Sequence, residues 1–380
     1  MVTLRGITWG HSRGFTSVVA TAQRFSELNP HVEIMWEKRS LQEFADGDLD
    51  ELARNYDLLV IDHPWAGFVA EKAILLPLQD YLPKAYLDDQ AANSVGGSHE
   101  SYLFNGFQSA LAIDAATPVA VYRPDHLQQG QFELPETWQD LLTLARSGKV
   151  IYAGIPINLL MDFLMLCATR GGTWFDEESI ASRDTGIEAL EALRELASLC
   201  SKEIFDYDPI AVHEQLSTRN EWSYCPYAYG YSNYSRAGYA RYLLKATDVV
   251  SWHGEPLKTV LGGTGLAISA KCQHKDVALA YASYTASAEV QKTLFFENGG
   301  QPGHRGAWLD EEVNRRSLSF FTDTLATLDR SAKRPRYSGF LNFQDRAGDL
   351  VREYVMNGGD SSTVFAAMNA LYQKSRGLME

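Results

Sequence analysis

Gly262-Gly263-Thr264-Gly265-Leu266-Ala267-Ile268-Ser269-Ala270-Lys271 is the stretch on which the fold of this chain turns. Leu261 to Ser269 reads as a strand-like crossing, and Asp276 to Phe296 behind it as a long Ala/Tyr-rich helix that ends before Gly299-Gly300-Gln301-Pro302-Gly303. The glycines are not a nucleotide signature. Gly262 to Leu266 lacks the Lys-Ser/Thr of a P-loop and does not keep the GxGxxG spacing.

Working outward toward the N-terminus, Leu4 to Trp9 reads as a short buried strand and Thr16 to Leu28 as an amphipathic helix, with Val18, Val19, Ala22 and Phe25 on one face. Val32 to Trp36 alternates as a second strand. Tyr56 to Ile61 (YDLLVI) is a continuous apolar run, as expected of a strand buried on both faces. This β-α-β-α-β alternation indicates an open, doubly wound α/β lobe. Leu111 to Tyr122 reads as two short strands broken at Asp114 to Pro118, where the chain is expected to leave that lobe. Thr137 is a candidate cap for the helix that follows it. Val150 to Ile155 is the expected first strand of a second lobe, and Asn158–Arg170, Thr185–Cys200 and Ile210–Ser217 are expected helices. Asp310 to Glu380 would complete the second lobe as helices. No repeat, low-complexity tract or long linker interrupts the chain.

A chain of 380 residues suits two domains rather than one core. Its formal net charge of −14 disfavours nucleic acid and anionic membranes as partners. With 8 Trp and 19 Tyr it is rich in flat rings that also hydrogen-bond, which suits polyhydroxyl ligands as well as large cores. Cys167, Cys200, Cys225 and Cys272 form no CxxC pair and read as buried thiols. No metal spacing, GxSxG elbow or HExxH is present, and no cofactor or metal is expected. Asp46, Asp48 and Asp50 imitate the start of an EF-hand, but Glu51 stands where that loop needs glycine. No stretch reaches transmembrane length.

Open α/β sheets bind ligands beyond the carboxyl ends of their strands. Three loops are expected there: Trp9-Gly10-His11-Ser12-Arg13-Gly14, Asp62-His63-Pro64-Trp65, and the neighbourhood of Gln108. Trp9 and Trp65 offer apolar faces, Asp62 accepts from hydroxyls, and His11 and Arg13 donate. Arg13 could hold a carboxylate or phosphate in bidentate fashion. The competing reading is structural: Asp62 caps the helix after it and Arg13 forms a salt bridge with it. In the second lobe the candidates are Asn158, Asp162 and Trp174, with Tyr227, Tyr229 and Tyr231 as a period-2 stripe that either packs in a sheet or lines a ligand site.

LRGITWGHSRG, YDLLVIDHPW with Leu76-Pro77-Leu78, LPETWQDLLTLA and GGTGLAISA occur in that order along nearly the whole chain. Together they resemble the family-1 extracellular solute-binding proteins, the sugar-binding subunits of ABC importers. The resemblance implies an α/β, two-lobed periplasmic-binding-protein fold of type II. Each lobe would be a doubly wound sheet flanked by helices, and hinge strands would cross near Asp114, Gly262 and Gly306. One lobe would comprise residues 1–114 and 261–306, the other 115–260 and 307–380, closing on a small molecule. It further implies ligand contacts around Trp9 to Arg13, Asp62 to Trp65, Tyr227 to Tyr231 and Gly262-Gly263, no catalytic residues, and a membrane permease as partner.

His11, Arg13, Asp62 and His63 are a more charged set than a neutral sugar requires, so a sugar acid or sugar phosphate stays open beside a neutral sugar. Met1-Val2-Thr3 runs into the first strand without an export-signal pattern. The expectation is therefore a periplasmic or extracellular lipid-anchored protein if a signal was removed, and a cytoplasmic one if Met1 is the native start. In the cytoplasmic case the fold could be reused, with His11, Arg13, Asp62 and His63 acting on an anionic metabolite.

Overall fold

The computed structural model describes residues 1–377. Two compact units emerge from one chain. The first comprises Met1–Ala116, Gly262–Arg315 and Arg336–Ser338; the second comprises Thr117–Leu261, Arg316–Pro335 and Gly339 onward. The main strands, in chain order, are β1 (Val2–Trp9), β2 (Val32–Arg39), β3 (Leu58–Ile61), β4 (Leu111–Ala116), β5 (Pro118–Tyr122), β6 (Tyr224–Tyr229), β7 (Lys245–Thr247) and β8 (Gly262–Ile268).

The sheet of the first unit has the order β2-β1-β3-β8-β4. β1 is parallel to β2 and β3, whereas β8 runs antiparallel to both β3 and β4. The apolar run of β3 shows why it must lie inside the sheet. Leu58 and Val60 face one core layer together with Leu266, Ile268, Leu111 and Ile113. Leu59 and Ile61 face the opposite layer together with Ala267, Ala112 and Ile7. A strand with period-2 side chains and apolar residues at every position is stable only when both faces are covered.

The helix Thr16–Leu28 covers one face and packs beside Lys275–Thr285 through Phe25 and Tyr281. The Tyr281 hydroxyl is wholly buried yet well used: it pairs with Thr21 Oγ1 at 2.9 Å, accepts from Trp36 Nε1 at 3.1 Å and donates to the Val18 carbonyl at 3.0 Å. Such satisfaction is what allows a phenol to sit in a core.

In the second unit β5 is central to an antiparallel sheet of order β6-β5-β7. The expected strand at Val150–Ile155 is extended but reduced to a single parallel bridge, Val150 to Tyr224. Gly154 explains the reduction, since its N–H turns to the carbonyls of Ile204 and Tyr207 rather than to a strand. This sheet is thus mixed and small, not doubly wound like the first. The helices Pro156–Arg170, Arg183–Ser198, Phe340–Asn357 and Ser361–Ser375 supply most of the unit's packing. Phe175 is ringed by Phe340, Phe343 and Tyr372 at 5.4–6.0 Å between ring centroids. Ala307–Arg315, expected in the second lobe, belong to the first unit.

Candidate ligand-binding residues

The loop after β1 is a tight backbone coil. The N–H groups of Gly14 and Phe15 both donate to the His11 carbonyl, and Thr8 Oγ1 donates to the Gly14 carbonyl at 3.0 Å. His11 Nδ1 accepts from the Arg13 N–H at 3.0 Å. Gly14 lies flat on the Trp9 indole, where a Cβ would come within 2.3 Å of the ring. Trp9 also meets Phe44 at 5.2 Å and belongs to the core of this unit. Packing therefore accounts for Trp9, contrary to the expectation that its place after a strand marked a sugar platform.

Arg13 turns inward. Its Nε donates to Asp114 Oδ2 at 2.7 Å and its other fork arm to Oδ1, with side-chain exposures of 5% and 1% for the two residues. Burial pushes the Asp114 carboxyl above its ordinary range, while Arg13 and the Thr264 N–H pull the other way. The bidentate fork and the backbone donor stabilise the ionised pair. Asp62, as the structural reading had it, caps the short helix His63–Trp65, accepting from the His63 N–H at 2.8 Å with His63 Nδ1 at 3.2 Å from the same oxygen.

His63 is fully buried and meets Tyr102 edge-on at 6.5 Å. Trp65 is half-buried, edge-on to Phe68 at 5.4 Å, and keeps part of its face toward solvent. Gln108 has a structural role: its Nε2 donates to the carbonyls of His99 and Ala110. Gly262 and Gly263 open β8 opposite Ala116 and Ala115. Gly263 has φ +97°, and a Cβ there would meet the Asp114 carbonyl at 2.4 Å. Only glycine lets β8 approach the Asp114 strand so closely. The Gln301-Pro302-Gly303 segment closes over the same strand, with Gln301 Nε2 donating to the Ala115 carbonyl at 2.8 Å and Pro302 bridging to Asp114.

In the second unit Asn158 and Asp162 lie one turn apart on the helix Pro156–Arg170, 7% and 4% exposed. Tyr227 stacks on Trp138 (6.5 Å, 10° between planes) and meets Tyr152 edge-on at 5.7 Å. Burial alone holds the Asp162 carboxyl well above the ordinary carboxylate range, and the same effect raises Tyr152 and Tyr227. The period-2 tyrosine stripe does not persist. A register shift in β6 beside Tyr227, and the end of that strand at Tyr229, send Tyr231 to His213 at 5.6 Å instead. Tyr229 is half-buried. Trp174 sits edge-on to Phe175 at 5.0 Å, at the rim of the Phe175 cluster.

Asp114 and Tyr152 were not among the expected site residues. The signal for Asp114 was one acid inside the apolar run LAIDAA; Tyr152 in VIYAGI carries none beyond its own hydroxyl. Among the described residues no group of three or more His, Cys, Asp or Glu could hold a metal, and all four cysteines are free.

A family model described as bacterial extracellular solute-binding protein matches residues 20–315. Solved structures agree on the fold. The maltose-bound MalE3 of T. maritima superposes with TM-score 0.82 at 17% identity, covering 100% of both chains. An ABC transporter solute-binding protein of Agrobacterium radiobacter K84, in complex with ribitol, gives 0.82 at 18% identity over 98% of each chain. One from Thermotoga lettingae TMO, bound with α-D-tagatose, gives 0.82 at 16% identity over 99% of this chain and 100% of that one. The chain belongs to the bacterial extracellular solute-binding proteins, with their two-lobed α/β architecture.

Proposed function

From that membership we propose that the chain is the substrate-binding subunit of an ABC importer and that its ligand is a neutral polyhydroxyl compound. The observation that carries the ligand class is the commitment of Arg13. Its bidentate face is taken by a buried carboxylate of its own chain, so the side chain that had favoured an acidic ligand is engaged inside the fold. What remains suits sugar faces: the partly exposed Trp65 ring. The three structures named above hold maltose, ribitol and tagatose, which agrees with this reading.

The test is calorimetry with a panel of neutral sugars and alditols set against uronates and sugar phosphates, with the bound compound recovered by mass spectrometry. A neutral member should bind and be recovered unchanged. Trp65→Ala should then weaken it about tenfold or more, equal to about 1.4 kcal/mol. An acid that outcompetes every neutral compound, or a ligand that is chemically altered, would overturn the proposal.

A further inference from the structure

A buried histidine apart from the candidate ligand residues sits where the sheet of the second unit is tied together. His126, on the short helix Pro124–Gln128, is 3% exposed, and its Nδ1 pairs with Ser223 Oγ at 2.9 Å. Ser223 is wholly buried and is a junction of the backbone. Its N–H donates to the Lys149 carbonyl and its carbonyl accepts from the Arg123 N–H, both at 2.9 Å. Tyr224, the next residue, opens β6 and bridges to Val150. Ser223 thus joins the end of β5, the extended segment at Val150 and the start of β6.

The surroundings of His126 disfavour a second positive charge. Arg123 is 1% exposed and engaged on every arm. Its Nε and Nη2 grip Asp125 at 2.8 and 2.6 Å, and Nη2 also reaches Asn220 Oδ1 at 3.3 Å. Its Nη1 donates to the Leu216 and Arg219 carbonyls at 3.2 and 2.6 Å, and the guanidinium lies over the Tyr242 ring at 3.8 Å. Held this way, it cannot turn from the imidazole. Lys149 faces the ring from the residue before Val150, and Asn220 bonds to it from the loop before Ser223. The carboxylate facing the ring is Asp125, which Arg123 already grips. Burial pushes the His126 pKa down, Arg123 and Lys149 push it further, and Asp125 and Asn220 pull it back only in part.

We propose that His126 is an acid-sensitive fastening of the second unit: the neutral ring holds Ser223, and protonation loosens the entry to β6 and weakens ligand binding. The neutral ring offers one donor and one acceptor, whereas the imidazolium offers two donors and a charge. Protonation therefore changes the hydrogen bonds the ring can make and places a cation, out of water, beside a guanidinium that is fixed. Relief comes by moving the ring away from Ser223, and β6 beyond it carries Tyr227 and Tyr229, both candidate ligand residues. The sign follows from the depressed pKa. The contribution of His126 to stability is present above the ordinary imidazole pKa and is lost as pH falls through the lower value of the folded state. The link to binding rests on the reading of the chain as a receptor for a neutral polyhydroxyl compound; the fastening does not.

Two measurements test this, the first independent of any ligand. Urea unfolding of the wild type is compared with that of His126→Gln, which keeps a hydrogen-bonding side chain and does not titrate, from about pH 7.5 to about pH 5. The wild-type midpoint should fall relative to the variant's as the pH is lowered. Parallel midpoints would overturn the fastening. Should His126→Gln not fold, NMR titration of the His126 ring in the wild type decides: a midpoint below the ordinary imidazole value supports the fastening, and one at or above it overturns it. The second measurement is the affinity of both proteins for the best-binding compound among glucose, maltose, tagatose and ribitol over the same pH range. The wild type should weaken about tenfold more than the variant. Equal weakening would overturn the link to binding and leave the receptor reading intact. Failure of the wild type to bind any of these compounds would overturn that reading and the link with it, while the unfolding comparison decides the fastening by itself.

Discussion

Asp114→Ala is the perturbation with the largest effect expected on the first unit. It leaves the Arg13 guanidinium charged, 5% exposed, and without the carboxylate that now meets its Nε at 2.7 Å. A pair of unit charges about 4 Å apart interacts by about 4 kcal/mol at an effective dielectric near 20. Breaking a buried pair by removing one partner costs about 3–5 kcal/mol, because the other charge stays desolvated. The two routes agree, so the variant should lose about 4 kcal/mol of unfolding free energy. In the double variant Arg13→Met/Asp114→Leu the ion pair is replaced by apolar groups and most of that loss should return. Urea unfolding followed by tryptophan fluorescence reads both, provided the slope m is unchanged. A loss under about 1 kcal/mol in Asp114→Ala would mean that water reaches the pair. Arg13 would then be available to an acidic ligand, and the argument for a neutral one would fail with it.

Gly263→Ala should cost about 2 kcal/mol or more, since it adds a Cβ at φ +97° and 2.4 Å from the Asp114 carbonyl; thermal unfolding checks it, and an unchanged melting temperature would show that β8 can move aside. Thr137→Ala removes the cap of the helix Trp138–Arg146, in which Thr137 and Asp140 bond reciprocally, and should cost about 1 kcal/mol by the same assay. The raised pKa of Asp162 carries a sign. Its proton is held more tightly in the folded state, so its contribution to stability is intact below the ordinary carboxylate pKa and is lost as pH rises through the raised pKa of the folded state. Wild type should therefore lose ground to Asp162→Asn as pH rises above about 4, and parallel stability curves would refute the buried, uncharged assignment.

The sequence made some elements plain for physical reasons. YDLLVI has no polar position to turn outward, and β3 is buried on both faces. The expected helix Thr16–Leu28 is observed with those bounds because its apolar period is uninterrupted. Site geometry was far less legible. Arg13 and Asp114 lie 101 residues apart and meet only because β8 brings β4 to the same sheet, a tertiary fact that no local pattern encodes. Trp9 looked like a ligand platform because it follows a strand, but the coil of Gly14 back onto its indole is a loop conformation, which composition does not reveal. The tyrosine stripe failed for a related reason: one register shift beside Tyr227 is enough to change the face of every residue after it.

The chain buries two aspartates almost equally, and the difference between them is the strongest guide to what the molecule is built to do. Asp114 is 1% exposed and Asp162 4%. Around Asp114 the fold supplies a guanidinium fork, the Thr264 N–H and a glycine that lets β8 come close enough to deliver it. Each device lowers the cost of burying a charge, and together they make Asp114 a fastening of the sheet. Around Asp162 no such device exists: one carboxylate oxygen and two adjacent phenols have no partner. An apolar residue at position 162 would cost the fold less than a buried acid without one.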